Sequence, residues 1–165
     1  MTAEEANSTV VINGKVLGNT QYIATLIQKD TNGDIFRIES KISYPTDHRT
    51  LVDLAKEEQN KSARPELAKK IENLKEYDII FIGYPNWWGD MPMIMYTFFQ
   101  EHDFSGKTII PFNSHGGSGF SNTINTIGKL QPKARVVSDG FTVSRNTVQD
   151  CAEDVSTWIK TLNLK

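Results

Sequence analysis

The stretch from Tyr77 to Pro92 constrains the fold more than any other part of this sequence. A run of apolar residues, Ile79 to Ile82, is followed by Gly83 and then by a loop that contains two adjacent tryptophans. An apolar run of this length bounded by Gly and Pro is typical of a parallel strand buried on both faces. Because ligands of open α/β sheets bind beyond the carboxyl ends of such strands, we expect the tryptophan loop at the mouth of a binding site. A core position for one or both indoles is the alternative.

Further short apolar runs alternate with segments of helical periodicity along the chain. The sequence predicts strands at residues 9–12, 34–40, 79–82, 107–112 and 134–137, the last with a continuation at 141–143, and helices at 21–29, 46–60, 65–74, 92–100, 122–130 and 148–162. Parallel strands need crossover connections, and helices usually supply them. The alternation therefore predicts an α/β fold, in which a parallel sheet is covered by helices on both faces.

Length, charge and cysteine content limit the classes of protein to which the chain can belong. Its 165 residues match one domain, 1–165, and a net charge of −2 provides no basic surface for nucleic acid. The single cysteine, Cys151, cannot form an internal disulfide, which fits a reducing compartment. The sequence has no apolar run long enough for a membrane span, and it begins with acidic and polar residues. We therefore expect a soluble cytoplasmic protein that binds neither nucleic acid nor membranes.

Three loops follow the first, third and fourth predicted strands, and in a doubly wound sheet such loops converge on one crevice. The first loop ends in Gly18, Asn19 and Thr20 at a helix start, where backbone N–H groups suit a phosphate, although turns and helix caps use the same residues. The third loop, from Ser114 to Gly119, is rich in glycine, so its backbone can approach a ligand closely unless it is merely a connection. Convergence of the three loops would form a ligand site.

The residues offer little support for covalent or metal chemistry. His115 has the intrinsic pKa of a general acid or base, but no nucleophile motif accompanies it. Cys151 extends the apolar stripe of the last predicted helix, and His48 and His102 lack metal-ligand spacing. Motifs for ATP and for Rossmann dinucleotide binding are absent from the sequence. We therefore predict neither a catalytic residue nor a metal ligand.

Taken in order, the motifs GNT, GYPNWWGDMP and PFNSHGGSGF resemble the flavodoxin-like proteins, in particular the short flavodoxin-related proteins with a W-W loop and an S/T-H-G-G-S-G loop. The resemblance implies a three-layer sandwich with a five-stranded parallel sheet of order 2-1-3-4-5, flavin mononucleotide (FMN) as cofactor, and one- or two-electron transfer. It implies that the FMN phosphate lies at Gly18, Asn19 and Thr20. It places the isoalloxazine ring between Pro85, Asn86, Trp87, Trp88 and Gly89 on one side and Ser114, His115, Gly116, Gly117, Ser118 and Gly119 on the other.

The first strand and its loop depart from the family pattern. Family members usually carry a loop of the type S-x-T-G-N-T, whereas Lys15 and Leu17 stand at the two hydroxyl positions here. In one interpretation residues 9–12 form the first strand and residues 13–20 form the phosphate loop. In the other, the true first strand is missing, and residues 1–17 are an inserted or truncated segment. The sheet would then lack its central strand, and FMN binding could be weak or lost.

Two functions follow from these observations. The first is a flavoprotein that transfers electrons to a small-molecule or protein redox partner, either as a carrier or as an FMN-dependent oxidoreductase of quinones or similar acceptors. A carrier should be strongly acidic, so the near-neutral charge favours the oxidoreductase. The second is a flavodoxin-like binding or interaction module that has lost the cofactor. The sequence leaves a homodimer open, and a visible spectrum of the purified protein would distinguish the two functions.

Overall fold

The structure, a computed structural model, describes residues 8–164. In chain order its strands are β1 (Thr9–Ile12), β2 (Lys15–Gly18), β3 (Ile79–Pro85), β4 (Thr108–His115), β5 (Arg135–Val136) and β6 (Phe141–Ser144). Its helices are α1 (Asn19–Thr31), α2 (His48–Asn60), α3 (Met93–Glu101), α4 (Thr123–Leu130) and α5 (Ala152–Thr161). The predicted α/β class is confirmed.

The main sheet is parallel, as predicted. β3 pairs with β4 along its whole length, from Ile79 opposite Thr108 to Pro85 opposite Ser114. β5 and β6 pair in turn with the first and second halves of β4, so they form two pieces of one interrupted strand. Gly140 lies in the interruption, where a Cβ atom would stand 2.5 Å from the Pro111 carbonyl oxygen. Backbone therefore approaches backbone too closely there for any side chain.

Two hydrophobic clusters, one on each face of the sheet, give the molecule three layers. The first cluster joins α1 and α5 to the sheet and contains Ile23, Phe112 and Val155. The second joins α3 and α4 to the opposite face and contains Phe98 and Ile127. Because successive side chains of a strand point to opposite faces, β3 contributes to both clusters. The layering is the predicted one.

The first predicted strand lies outside the parallel sheet. β1 pairs with β2 in an antiparallel hairpin whose two turn residues, Asn13 and Gly14, have φ values of 50° and 75°. Positive φ at both positions is the requirement of the tightest hairpin turn, and Asn-Gly meets it best. The interpretation of residues 9–12 as the first parallel strand is therefore wrong. Within residues 8–164 the structure agrees with the other interpretation, in which the central strand is missing.

Two further predictions also fail. Residues 34–40 form no strand, apart from one isolated bridge between Ser40 and Leu67, and residues 65–74 form no helix. The backbone explains both results, because the Lys41 N–H donates to the Glu66 carbonyl and the Ala68 N–H donates to the Glu39 carbonyl. Backbone groups that an α-helix would use within itself are thus bonded to the neighbouring segment. Only a 3₁₀ turn, Leu74–Glu76, precedes β3.

The other predicted helices are confirmed with small shifts at their ends. The carboxylate of Asp47 caps α2 by accepting the Thr50 N–H at 2.8 Å. The last predicted helix, 148–162, divides into a 3₁₀ turn, Val148–Asp150, and α5. No helix in the described part of the chain has the length and apolar character that a membrane span requires.

Candidate functional site

The three loops singled out in the sequence meet at one cavity. This cavity, which we call the loop pocket, has a volume of about 450 Å³ and lies at the carboxyl ends of β3, β4 and β6. It is lined by Ser8, Asn19, Pro45, Thr46, His48, Leu51, Val52, Ala55, Pro85, Asn86, Trp87, Trp88, Ser114, His115, Gly116 and Arg145. The expected convergence at the carboxyl edge of the sheet is therefore present in the fold.

Asn86 ties the tryptophan loop to the glycine-rich loop. Its backbone N–H donates to the Ser114 carbonyl at 2.9 Å, and its side-chain amide donates to the Gly119 carbonyl at 2.9 Å. The same amide donates to the Ser121 hydroxyl, while its oxygen accepts the Gly89 N–H at 3.0 Å. One half-buried side chain thus fixes the separation of two loops that are far apart in sequence.

The two tryptophans have different surroundings within the pocket. Trp87 is half-buried and packs edge-to-face against Tyr44, with ring centroids 5.6 Å apart. Trp88 is 52% exposed, and its indole N–H donates to the Val52 carbonyl of α2 at 3.1 Å. The ammonium of Lys56 lies 5.1 Å from the centre of the Trp88 ring. Neither indole belongs to the core clusters, so both present ring surface at the cavity.

His115 ends β4 and shapes the loop that follows it. Its Nδ1 accepts the Gly117 N–H at 2.8 Å, so the ring in this arrangement is unprotonated at that nitrogen. Partial burial lowers the pKa of the imidazole below its usual value, which favours the same neutral form. Gly117 and Gly119 in this loop have φ values of 137° and 56°, a region of backbone conformation that suits glycine.

The predicted phosphate residues occupy the cavity only in part. Asn19 lines the loop pocket, whereas Gly18 and Thr20 line a second, larger cavity. The Gly18 N–H donates to the Gln21 side-chain oxygen at 3.1 Å, and the Asn19 N–H donates to the Ser8 carbonyl at 2.7 Å. Two of the backbone donors that a phosphate would need are therefore already bonded within the protein.

The side chain of Asn19 is itself notable. It is 2% exposed, and its Oδ1 has no hydrogen-bond partner within the described residues. A buried oxygen without a partner costs free energy, so a donor from a ligand or a water would stabilise this position.

Some predicted site residues do not line the loop pocket, and some residues that line it were not predicted. Gly89, Gly117, Ser118 and Gly119 lie in the two loops but do not line the cavity. Arg145 follows β6 and is the only Lys or Arg among the described residues that line the pocket, and nothing in the sequence around it indicated such a position. Leu51, Val52 and Ala55 of α2 form another wall of the pocket, which the sequence analysis did not assign to a site.

Cys151 and His102, two other titratable residues considered in the sequence, are buried and packed. Cys151 is 1% exposed in the first core cluster, and burial raises the pKa of its thiol to about 11. His102 is buried, accepts the Ile71 N–H at 3.0 Å, and packs its ring against Phe98. Within residues 8–164 no group of three or more His, Cys, Asp or Glu side chains is arranged to hold a metal ion.

A three-layer parallel α/β fold with an aromatic and glycine-rich pocket at the carboxyl edge of its sheet defines the class of flavodoxin-like proteins. The family model described as Flavodoxin matches residues 9–162, and the chain belongs to that family.

Solved structures agree with this assignment. A protein from Bacteroides uniformis, provisionally described as a flavoprotein, is 32% identical with a TM-score of 0.75, and the match covers 86% of this chain and 90% of that one. A second such protein, from Bacteroides eggerthii, is 27% identical with a TM-score of 0.75, covering 90% and 93%. A flavoprotein from Lactobacillus acidophilus in complex with FMN is 17% identical with a TM-score of 0.62, covering 85% and 90%. A search of curated protein sequences found no significant match.

Proposed function

We propose that this protein binds FMN in the loop pocket and acts as a small FMN-dependent oxidoreductase. The observation that carries the proposal is the convergence of Trp87, Trp88 and the His115–Gly116 backbone on one cavity. A flat aromatic ring binds best where indoles cover its face and where backbone groups meet its polar edge. Membership of the flavodoxin family and the FMN complex of the Lactobacillus acidophilus protein support the choice of ligand.

The residues fit the two ends of FMN unequally. At the ring end, the pocket offers two indoles and a loop held open by Asn86. At the phosphate end, the N–H groups of Gly18 and Asn19 are bonded internally. Arg145 also lines the pocket, and its guanidinium carbon lies 3.7 Å from the Cβ position of Gly116. Guanidinium groups suit phosphate oxygens, so Arg145 would take part of the role that resemblance gave to residues 18–20.

FMN, when bound, supplies the capacity to accept and return one or two electrons, and this chain's residues position and shield it. Trp88 is held by α2 through its indole N–H, so the ring surface that it presents is fixed in orientation. The neutral imidazole of His115 keeps the Gly117 backbone in place. The near-neutral net charge of −2 suits a small-molecule acceptor better than a basic protein partner, because a dedicated carrier uses strong charge complementarity.

A second candidate function is a binding module that has lost the cofactor. The specific observation in its favour is the internal bonding of Gly18 and Asn19, which leaves the family's phosphate loop engaged with the protein itself.

A titration of the purified protein with FMN and with riboflavin separates the two functions. The flavoprotein should quench FMN fluorescence and shift the visible flavin bands. Its affinity for riboflavin should be lower than its affinity for FMN by no more than about tenfold, because few phosphate contacts are available. An Arg145→Ala variant should bring the two affinities together, while Arg135→Ala, a change outside the pocket, should not. A colourless protein that leaves the fluorescence of both flavins unchanged would overturn the proposal in favour of the binding module.

A further inference from the structure

Helix α2 holds Trp88 by both its side chain and its backbone. Trp88 lines the loop pocket and is 52% exposed, so it lies at the mouth of the pocket. Its indole N–H donates to the Val52 carbonyl at 3.1 Å, and the side-chain amide of Gln59 donates to the Trp88 carbonyl at 3.2 Å. Trp88 has a φ of 55°, in the left-handed region that is uncommon for residues other than glycine. Such strain persists only where the surroundings fix it, and it is concentrated at ligand sites.

The ammonium of Lys56 is fixed beside this ring. It lies 5.1 Å from the centre of the Trp88 ring and donates to the Gln59 side-chain oxygen at 2.8 Å. The Gln59 amide thus holds the lysine through its oxygen and the Trp88 carbonyl through its nitrogen. Ordering a long lysine side chain costs conformational entropy, which these contacts with neutral groups offset. The result is a positive charge at a defined place on an aromatic surface.

No carboxylate of the described residues neutralises this charge. Lys56 takes part in none of the ion pairs found among them. Two acidic neighbours on α2 are engaged elsewhere, because Glu57 pairs with Lys61 and Glu58 accepts the Tyr44 hydroxyl at 3.0 Å. The ammonium is therefore available to a negatively charged ligand.

The lining of the loop pocket is also free of acidic side chains in the described part of the chain. Arg145 lines the pocket, and its other titratable side chains are His48 and His115. Asp53, one turn before Lys56 on α2, is exposed and does not belong to the lining. The charged lining is therefore positive, although the whole chain carries a net charge of −2.

An acidic group on an aromatic ring matches this arrangement. A planar ring packs well against the exposed indole of Trp88, and an acidic substituent on that ring would meet an ammonium that is already in place. An uncharged ring leaves the charge of Lys56 unpaired, and a positively charged ring is repelled by it. The fixed charge therefore favours anionic aromatic ligands over uncharged ligands of the same shape.

We propose that the fixed ammonium of Lys56 selects an aromatic electron acceptor that carries an acidic group, such as a hydroxyquinone in its anionic form. This inference rests on the proposed function and adds the chemical class of the acceptor and the residue that distinguishes it. A quinone becomes a hydroquinone by taking up two electrons and two protons, which FMN in its two-electron-reduced form supplies. Gln59 is a positioning residue, because it acts through Lys56 and Trp88.

Two naphthoquinones that differ by one charge provide the test. Lawsone, a hydroxynaphthoquinone, is an anion at neutral pH, and its methyl ether has the same ring and no charge. Isothermal titration calorimetry measures the affinity of the FMN-saturated chain for each compound at low ionic strength. Lawsone should bind about fivefold more tightly than its methyl ether. Because salt screens exposed charges, the ratio of the two affinities should approach unity at high salt.

Variants of α2 test whether Lys56 causes the preference. In Lys56→Gln the charge is removed, so the ratio of the two affinities should fall to about unity, whereas Lys56→Arg keeps a cation over the indole and should retain most of the ratio. Gln59→Leu keeps the charge but releases it, so the ratio should fall part of the way. Lys61→Gln is the matched control, because it removes one positive charge from the same helix at a lysine already paired with Glu57, and the ratio should not change.

Three results would overturn this inference. The first is that the unmodified chain binds neither naphthoquinone or binds both equally. The second is that Lys56→Gln retains the preference, which would assign it to another group such as Arg145. The third is that Lys61→Gln loses as much of the ratio as Lys56→Gln does, which would assign the preference to the overall charge. If Lys56→Gln fails to fold, the comparison of Gln59→Leu with Lys61→Gln decides.

The proposed function and this inference fail separately. An FMN titration without binding overturns the proposed function, and the same ratio is then measured on the flavin-free chain, which still contains Lys56 and Trp88. Bound FMN with equal affinities for the two naphthoquinones overturns the choice of acceptor alone.

Discussion

At the scale of single residues, Trp88 is the side chain on which ring binding most depends. Its indole is exposed but fixed by the bond to the Val52 carbonyl and by the ammonium of Lys56. A Trp88→Ala variant should bind FMN about tenfold more weakly, because it loses a preoriented aromatic surface. Isothermal titration calorimetry measures the change. Trp158→Phe is the matched control, since Trp158 lies in the core and not at the pocket. Equal affinities for Trp88→Ala and the unmodified chain would remove Trp88 from the site.

His115 should make flavin binding depend on pH. Its pKa in the folded protein lies below the ordinary value of about 6.5, so the contribution of the neutral ring to stability is fully present above that value. That contribution is lost progressively as the pH falls from there through the lower folded pKa. Protonation also removes the acceptor of the Gly117 N–H, so FMN affinity should fall in the same range.

A His115→Asn variant tests this explanation. The Asn side-chain oxygen can accept the N–H two residues on, as the imidazole does, but it does not titrate. FMN affinity measured from about pH 8 to about pH 5 should therefore decline for the unmodified chain. The affinity of the variant should change much less over the same range. An identical decline in both proteins would show that another group is responsible.

At the scale of elements, the contact between β3 and β4 has little tolerance for added volume. A Cβ atom at Gly83 would lie 2.1 Å from the Phe112 ring, so Gly83→Ala should destabilise the protein by about 1–3 kcal/mol. Gly128 in α4 has open space at the same position, and Gly128→Ala should instead stabilise by about 0.5–1 kcal/mol. Urea denaturation of both variants checks the pair of signs. A Gly83→Ala variant as stable as the parent would mean that Phe112 moves aside freely.

The elements that were predicted correctly are those whose sequence signals are local. β3 and β4 were predictable because their own residues are apolar and β-branched, and α2 and α3 because periodicity and caps are local signals. Residues 34–40 also carry a strand pattern, but a strand needs a partner edge, and no described strand lies beside them. Residues 65–74 have helical periodicity, but the backbone groups of Glu66 and Ala68 are bonded to residues 39–41. Sequence patterns do not report such long-range competition.

The candidate site shows the same division. The loops of the pocket could be predicted from the sequence because Pro, Gly and Trp residues are typical of them. In a parallel sheet, loops that follow the strands lie at the same edge. The place of Arg145 in the pocket could not be predicted, because it depends on the pairing of β6 with the second half of β4, a long-range contact that the residues around Arg145 do not signal. The wrong expectation for residues 9–12 arose from a β-branched run whose partner was set by the Asn13-Gly14 turn.

At the scale of the whole molecule, the two cavities lie on either side of one wall. Asn19, with its unpartnered buried oxygen, belongs to that wall together with Trp87. The loop pocket is framed by β3, β4 and α2, whereas the larger cavity adjoins residues 33–40. We therefore expect flavin to bind to a largely preformed site.

The three tryptophans allow a direct test of the flavin site in a single spectrum. Indole N–H signals in a ¹⁵N–¹H correlation spectrum should shift on addition of FMN for Trp87 and Trp88, which line the pocket, and stay in place for Trp158, whose indole donates to the Asp139 carbonyl in the core. Saturating FMN that leaves the Trp87 and Trp88 signals unmoved would contradict the account.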